Sequence, residues 1–306
     1  MKCSQIIENG NLEIMTQATS VSDETIISQL SDICKFHHKM EEGRCTEISF
    51  HDEASLFGGT IRHHPQKKQI IESVAKLPYL KHLNIRKCKI GEMPEMQSRS
   101  LEYLDISCND IESIPSWVVL QPQLKFLSLG ANKLIEVPDL SSLPLETLKL
   151  HKNRITKMPD VGDKIKSLNL FLNPMLGIPE RVLGLSLLEV FSFGVTETNT
   201  LPSLSSLPNL RWLTLTVNQI ESLPDDICQL KKMEGLTLAK NKLKKLPNRI
   251  GEMNLKSLTL YSNNIEELPE SFFDLKLNKL NLARNPLKNA QKAFDTFSDI
   301  EFLRMI

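Results

Sequence analysis

No stretch of the 306 residues approaches the roughly 18 consecutive apolar residues of a membrane-spanning helix, so no span is expected. Met1 to Ile6 carries a lysine but no apolar core, so no secretory leader is expected either. Charge of one sign is also missing: 37 Lys plus Arg stand against 37 Asp plus Glu. A nucleic-acid binder would show a basic excess or stripe, so a nucleic-acid partner is not expected. The six cysteines (Cys3, Cys34, Cys45, Cys88, Cys108 and Cys228) contain no CxxC pair and form no cysteine-rich cap. Free thiols in a reducing, cytoplasmic compartment are the simpler reading.

Catalytic signatures are absent as well. No HExxH, GxSxG, P-loop or GxGxxG context occurs, so neither an enzyme nor a cofactor or metal site is expected. The pairs His37-His38 and His63-His64 are expected at the surface, because neighbours on a helix point about 100° apart and make poor joint ligands. Cys45 could meet His51 near the first strand, but a structural cap cysteine is the expected role. Cys108 is expected as an ordinary exposed thiol.

What the sequence does contain is a repeat. At 41% hydrophobic and 24% charged the chain is globular, with room for one large or two small domains. The frame L-x-x-L-x-L-x-x-N-x-L-x-x-L-P starts at Leu80, Leu101, Leu124, Leu145, Ile165, Leu188, Leu210, Met233, Leu255, Leu277 and Ile300, at spacings of 20 to 23 residues. That makes ten repeats and a stub. Eight residues after each start stand Cys88, Asn109, Asn132, Asn153, Asn173, Thr196, Asn218, Asn241, Asn263 and Asn285. Fourteen after, a proline occupies nine of the ten repeats, from Pro94 to Pro269, with Gln291 the exception.

Each column has a physical task. Leucines such as Leu148 and Leu150 alternate with polar neighbours, the period of a strand with one buried face. Stacked parallel strands would join those leucines into one core. An asparagine amide carries donors and acceptors and can satisfy backbone groups of neighbouring coils in a buried ladder; Cys88 and Thr196 are weaker substitutes. Proline suits the return segment, since it lacks an N–H and cannot continue a central strand. About a dozen return residues leave room for extended chain or short 3₁₀ turns.

These columns resemble the leucine-rich-repeat family, in its intracellular type with an L-P-x-x-[IL] return, as in Leu223-Pro224-Asp225-Asp226-Ile227 and Leu246-Pro247-Asn248-Arg249-Ile250. The resemblance runs from Leu80 to Ile306. It implies an α/β, right-handed leucine-rich-repeat solenoid with a parallel concave sheet that binds another protein. Scaffolds of Ras signalling, phosphatase regulators and the substrate-reading parts of bacterial effectors look similar, and the motif does not choose among them.

Residues 1–79 are read as an N-terminal helical segment and irregular first coil, and 80–306 as the solenoid with a C-terminal capping stub. Apolar residues at near-helical spacing predict a helix from Asp23 to Lys39, capped by Ser22 or Asp23. Cys45 to Phe50 reads as a degenerate first strand with Ile48 and Phe50 inward. Leu56 to Pro65 reads as irregular, and Gln69 to Leu77 as a convex-side helix. A helix-like stretch with Phe294 and Phe297 precedes the stub. Ser98 is expected to be exposed in a return segment.

Candidate binding residues are the sheet positions that point away from the core, two, four, six and seven residues after each start. They carry Tyr103, Phe126, Phe171, Leu172, Val190, Val195, Trp212, Val217 and Tyr261. Exposed large apolar groups suggest an interface, with Trp and Tyr as anchors; alternatively some pack on each other along the stack. The same positions hold Arg86, Lys87, Lys149, Lys152, Lys240, Lys279 and Arg284 against one acid, Asp105. A basic face favours an acidic or phosphorylated partner. Repeat six, with Phe191, Phe193, Thr196 and Thr198 at unusual positions, should be locally irregular; a bend, a ligand-facing feature and simple drift all stay open. The expected site is therefore Tyr103, Phe126, Lys149, Lys152, Phe171, Trp212 and Tyr261, on a scaffold or effector module. Such an effector could act inside a host cell. The alternative is a recognition domain of a larger kinase, GTPase or ubiquitin ligase.

Overall fold

The computed structural model describes residues 21–50 and 61–305. His51, the first half of the irregular stretch (Leu56 to Thr60), and the first 20 residues lie outside it. Its spine is a 13-stranded sheet in sequence order. A hairpin opens it: β1 (His37–Glu41) and β2 (Arg44–Ser49), antiparallel. Three-residue strands follow, one per coil: β3 (His82–Asn84), β4 (Tyr103–Asp105), β5 (Phe126–Ser128), β6 (Thr147–Lys149), β7 (Ser167–Asn169) and β8 (Val190–Ser192). Then come β9 (Trp212–Thr214), β10 (Gly235–Thr237), β11 (Ser257–Thr259), β12 (Lys279–Asn281) and β13 (Phe302–Arg304). All pairs after the hairpin are parallel, and the frame is kept at every step: Leu83, Leu104, Leu127, Leu148, Leu168, Phe191, Leu213, Leu236, Leu258, Leu280 and Leu303 are successive partners. Ile48 of β2 extends the row to the N-terminal side. Leu148 and Leu150 are buried while Lys149 between them is half-buried, the alternation a one-faced strand requires. One apolar core runs from Ile26 to Phe297.

Prolines start the return turns. The carbonyls of Pro115, Pro179, Pro224, Pro247 and Pro269 each accept from the N–H three residues on, at 2.9–3.1 Å. Short 3₁₀ turns follow at Ser116–Leu120, Glu180–Gly184, Asp225–Gln229, Ile250–Glu252 and Glu270–Asp274. A fixed φ near −65° pre-sets the first residue of such a turn, and the missing proline N–H is not needed there.

The asparagines cross-link coils. Asn153 donates from Nδ2 to the carbonyls of Leu129 (3.0 Å) and Leu150 (2.9 Å), and its Oδ1 accepts from the N–H of Leu134 (3.0 Å). Asn109, Asn132, Asn173, Asn241, Asn263 and Asn285 repeat this pattern. Asn218 departs from it. The shorter Thr196 donates its hydroxyl to Asn218 Oδ1 at 2.7 Å, and the buried Nδ2 of Asn218 has no partner. Repeat six is also pressed close to repeat seven: a Cβ on Gly194 would stand 2.1 Å from the Thr216 carbonyl oxygen. Thr196→Asn is expected to resume the ladder and raise stability by about 1 kcal/mol, read from urea denaturation midpoints. A lower midpoint would mean that the local backbone cannot seat the longer amide.

The ends correct the sequence reading in two places. The helix expected over Asp23 to Lys39 stops early: α1 covers Asp23–Ile33, capped by Ser22, whose Oγ accepts from the N–H of Thr25. Cys34 is already extended, and His37 and His38 belong to strand β1. Glu42 and Gly43, both at positive φ (50° and 75°), make the tight turn that sends the chain back. Phe36 meets Phe50 at 5.4 Å between ring centroids, so it serves the sheet edge instead of a longer helix. The second correction is Ser98. It is fully buried, and its hydroxyl donates to the Leu80 carbonyl at 2.6 Å, tying the return segment of repeat one to the start of the same repeat. The other end elements are α2 (Lys67–Ala75) and α3 (Ala290–Phe297), where Phe297 packs edge-on against Phe272 at 5.7 Å. Cys45 is buried, its N–H donates to the Asp23 carboxylate at 2.8 Å, and burial pushes its thiol up to about 12.

Candidate functional site

The sheet face opposite the core is shaped by an unusual backbone feature. Seven residues after each start, every repeat turns through a left-handed residue that is not glycine: Lys87, Cys108, Ala131, Lys152, Leu172, Val195, Val217, Lys240, Ser262 and Arg284, all at φ between 54° and 63°. This conformation costs a non-glycine residue roughly 1–2 kcal/mol. Val195 and Val217 are β-branched and sit there in adjacent coils, where the penalty is steepest.

Aromatic side chains occupy this face in two ways. Two residues after the start, the rings of His82, Tyr103 and Phe126 stack nearly parallel, with centroids 3.9 and 4.2 Å apart. Lys149 closes the row with its Nζ 5.0 Å from the Phe126 centroid. Tyr103, Phe126 and Lys149 thus form one contiguous group, packed along the stack. His82 belongs with them, although a search for large apolar residues passes over a histidine. Burial is the main influence on His82 and holds its imidazole below the ordinary range, with Glu47 and Asp105 pulling the other way.

Further along, the large side chains stand apart from that group. The Trp212 indole lies flat over Gly235 in the next coil; a Cβ there would be 2.0 Å from its Cε3 and 2.2 Å from its Cζ3. The outer face of the ring stays open, and Trp212 is 44% exposed. Phe171 leans on Gly194, its Cε2 3.0 Å from where a Cβ would stand. The Arg284 guanidinium lies 5.3 Å from the Tyr261 ring. Phe171 and Tyr261 therefore do not join Trp212 in one cluster, and they occupy another column of the sheet.

The balancing acids lie at the border of the sheet. One residue after the start of repeats one to nine the sign alternates without a break: Lys81, Glu102, Lys125, Glu146, Lys166, Glu189, Arg211, Glu234 and Lys256. Neighbours pair across coils, as in Lys125–Glu102 (3.6 Å), Lys166–Glu146 (2.8 Å) and Lys256–Glu234 (2.9 Å). Exposed pairs of this kind contribute only about 0–1 kcal/mol each, but they neutralise the border. On the open face Lys279 pairs with Glu301 at 3.4 Å. Arg86, Lys87, Lys149, Lys152, Lys240 and Arg284 make no ion pair among the described residues. Asp105 is buried, with one carboxylate oxygen accepting from the N–H of Ser107 at 2.9 Å. Cys108 is half-buried. Among the described residues, no group of three or more His, Cys, Asp or Glu could hold a metal ion, and no helix is long and apolar enough to cross a membrane.

Comparison with known proteins agrees with this architecture. Two leucine-rich-repeat family models match residues 97–113 and 254–275, each containing one start of the frame. No curated protein matches the chain significantly. Among solved structures, an LRR protein of Leptospira interrogans is 31% identical with a TM-score of 0.69, over 76% of this chain and 62% of that one. The chain thus spans less than two thirds of that relative. An internalin of Listeria monocytogenes is 18% identical with a TM-score of 0.65, covering 92% of this chain and 87% of its own. The Arabidopsis receptor kinase HAESA, solved in complex with a peptide hormone and a co-receptor, is 23% identical with a TM-score of 0.65, over 93% of this chain and 53% of that one. With repeat models matching at two places in the frame and the same inward column, ten leucines and Phe191, in register through eleven parallel strands, the chain belongs to the leucine-rich-repeat family.

Proposed function

We propose that the chain is a protein-interaction module whose partner docks on the open face of the sheet. The observation that carries this reading is the coincidence on one face of a half-exposed, flat-lying Trp212 and six cations without ion pairs. The border row of the sheet pairs its charges, so the unpaired cations on the open face represent attraction still available to a partner. Tyr103, Phe126, Phe171 and Tyr261 add apolar area, Trp212 is the anchor, and Lys149 and Lys152 orient an acidic or phosphorylated partner. From repeat three to repeat seven the face spans about 19 Å at about 4.8 Å per coil, the scale of a hot-spot cluster. The role is that of a cytoplasmic scaffold or of a bacterial effector acting in a host cell.

The experiment is a pull-down with the full chain, followed by surface plasmon resonance against the captured protein. Lys149→Glu with Lys152→Glu is expected to slow association about tenfold at low salt and to flatten its salt dependence, with dissociation less affected. Wild-type association by this variant, together with loss of binding in Leu176→Asp, whose leucine is almost fully exposed on a return segment, would place the partner elsewhere.

A further inference from the structure

Six residues after the starts of repeats one to four stand Arg86, Ser107, Gly130 and His151, a long side chain at each end and little between. Ser107 and Gly130 are buried although they lie on the open face of the sheet. The His151 imidazole lies across Gly130, with its Cε1 2.1 Å and its Nδ1 2.4 Å from where a Cβ would stand. His151 Nδ1 and Arg86 Nε are both buried and both without a hydrogen-bond partner. Buried nitrogens left this way are costly and rare; Arg86 Nε–H is a donor without an acceptor, and His151 Nδ1 becomes a second donor once the imidazole is protonated. The charges bearing on His151 are Lys152, Lys149, Arg86 and Asp105. Burial chiefly, then the three cations, hold its imidazole below the ordinary range, and Asp105 works against them. Three positive charges face one carboxylate that is already engaged by the Ser107 N–H.

We propose that Arg86 and His151 form a site for a single oxyanion, a phosphoryl or carboxylate group carried by the bound partner, with Lys149 and Lys152 at its rim. This rests on the reading that the partner occupies the open face, and it fixes the direction in which the partner lies. Its acidic group faces repeats one to four, and its uncharged part faces Trp212 in repeat seven. Arg86 Nε–H donates one hydrogen bond to the oxyanion. His151 gains a proton as the anion arrives, because a negative charge reverses the field that kept it neutral, and Nδ1–H then donates the second. Both side chains are only half-buried, so small rotations turn these atoms toward the ligand.

The test is a titration of His151 by NMR in the full chain, in sodium phosphate and separately in sodium acetate, each against sodium chloride at matched ionic strength. The expected result is a saturable upward shift of the His151 midpoint that the exposed His37, His38 and His63 do not share. A response to phosphate alone identifies a phosphoryl source, and a response to both salts admits a carboxylate. Gly130→Ala removes no charge but pushes the imidazole off its seat, and it should weaken phosphate binding at least about tenfold. Arg86→Gln should do the same with the imidazole left in place. Identical His151 midpoints in all three salts, or native phosphate binding by both variants, overturn the site. If Trp212→Ala still loses the partner while His151 ignores anions, the docking face stands and this site alone is wrong. If His151 responds to phosphate while Trp212→Ala and the lysine reversal leave partner binding intact, the docking face is wrong and the anion site stands.

Discussion

Asn153→Ala is expected to cost about 3 kcal/mol, at the upper end of the penalty for stranding buried polar groups. The substitution removes one amide that serves three backbone groups on two coils: the Leu129 and Leu150 carbonyls and the Leu134 N–H. None has a nearby replacement, since the coil interior is leucine, and the vacated space is too apolar to recruit water cheaply. Thr156→Ala, an exposed return position in the same repeat, is the control and should stay within about 0.5 kcal/mol of wild type. Ser98 cannot serve as that control, because its buried hydroxyl itself bridges two segments. Asn218→Ala should cost less than Asn153→Ala, since the Asn218 Nδ2 is already without a partner. Urea denaturation read by circular dichroism decides the matter; equal midpoints for the Asn153 and Thr156 variants would remove the ladder from any account of stability. Coils contribute mainly through their neighbours in a repeat array, so the Asn153 variant is also expected to broaden the transition.

Trp212→Ala is expected to weaken partner binding by about 2 kcal/mol or more, close to 30-fold, while leaving the melting temperature nearly unchanged. The two halves of this expectation have one cause. The indole rests on the backbone of Gly235 and leaves its other face open, so it contributes large contact area to a partner and little to the core. A ring seated in this way has few alternative conformations, and its immobilisation on binding costs little entropy. Gly235→Val provides a separate check. A side chain at 235 would take the seat of the indole and force it upright, so binding should fall although Trp212 is still present. Titration calorimetry on the captured partner measures both. Wild-type affinity in both variants would leave the flat indole as a lid over the Gly235 backbone and nothing more.

Much of this could be read before any coordinates. A column such as Leu83, Leu104 and Leu127 is set by a local rule, because a strand one coil long must turn its apolar residues to the same side. Asparagine at one position and proline at another follow from backbone needs that recur in every turn. The alternating charges from Lys81 to Lys256 were equally legible once the frame was known, yet nothing in one dimension said that this column forms the border of the sheet. Helix α1 shows the limit of periodicity. The apolar spacing from Ile26 to Phe36 suits a helix throughout, but the end of the core needed an edge strand, and burial there outweighed local preference.

The sequence by itself determined the coil: its length, its inward residues, its turn and the face left open. Those features depend on interactions within about 20 residues or on identical contacts repeated between coils. Only the tertiary structure decided which way each side chain on that face leans. The tilt of Trp212 onto Gly235, of His151 onto Gly130 and of Phe171 onto Gly194 depends on what a different coil places beside it, at about 4.8 Å. The same holds for the orphaned Asn218 amide, whose fate was settled one coil earlier by Thr196. Stacking brings residues some 20 positions apart into contact, and a missing side chain in one coil becomes the seat for a ring from an adjacent coil.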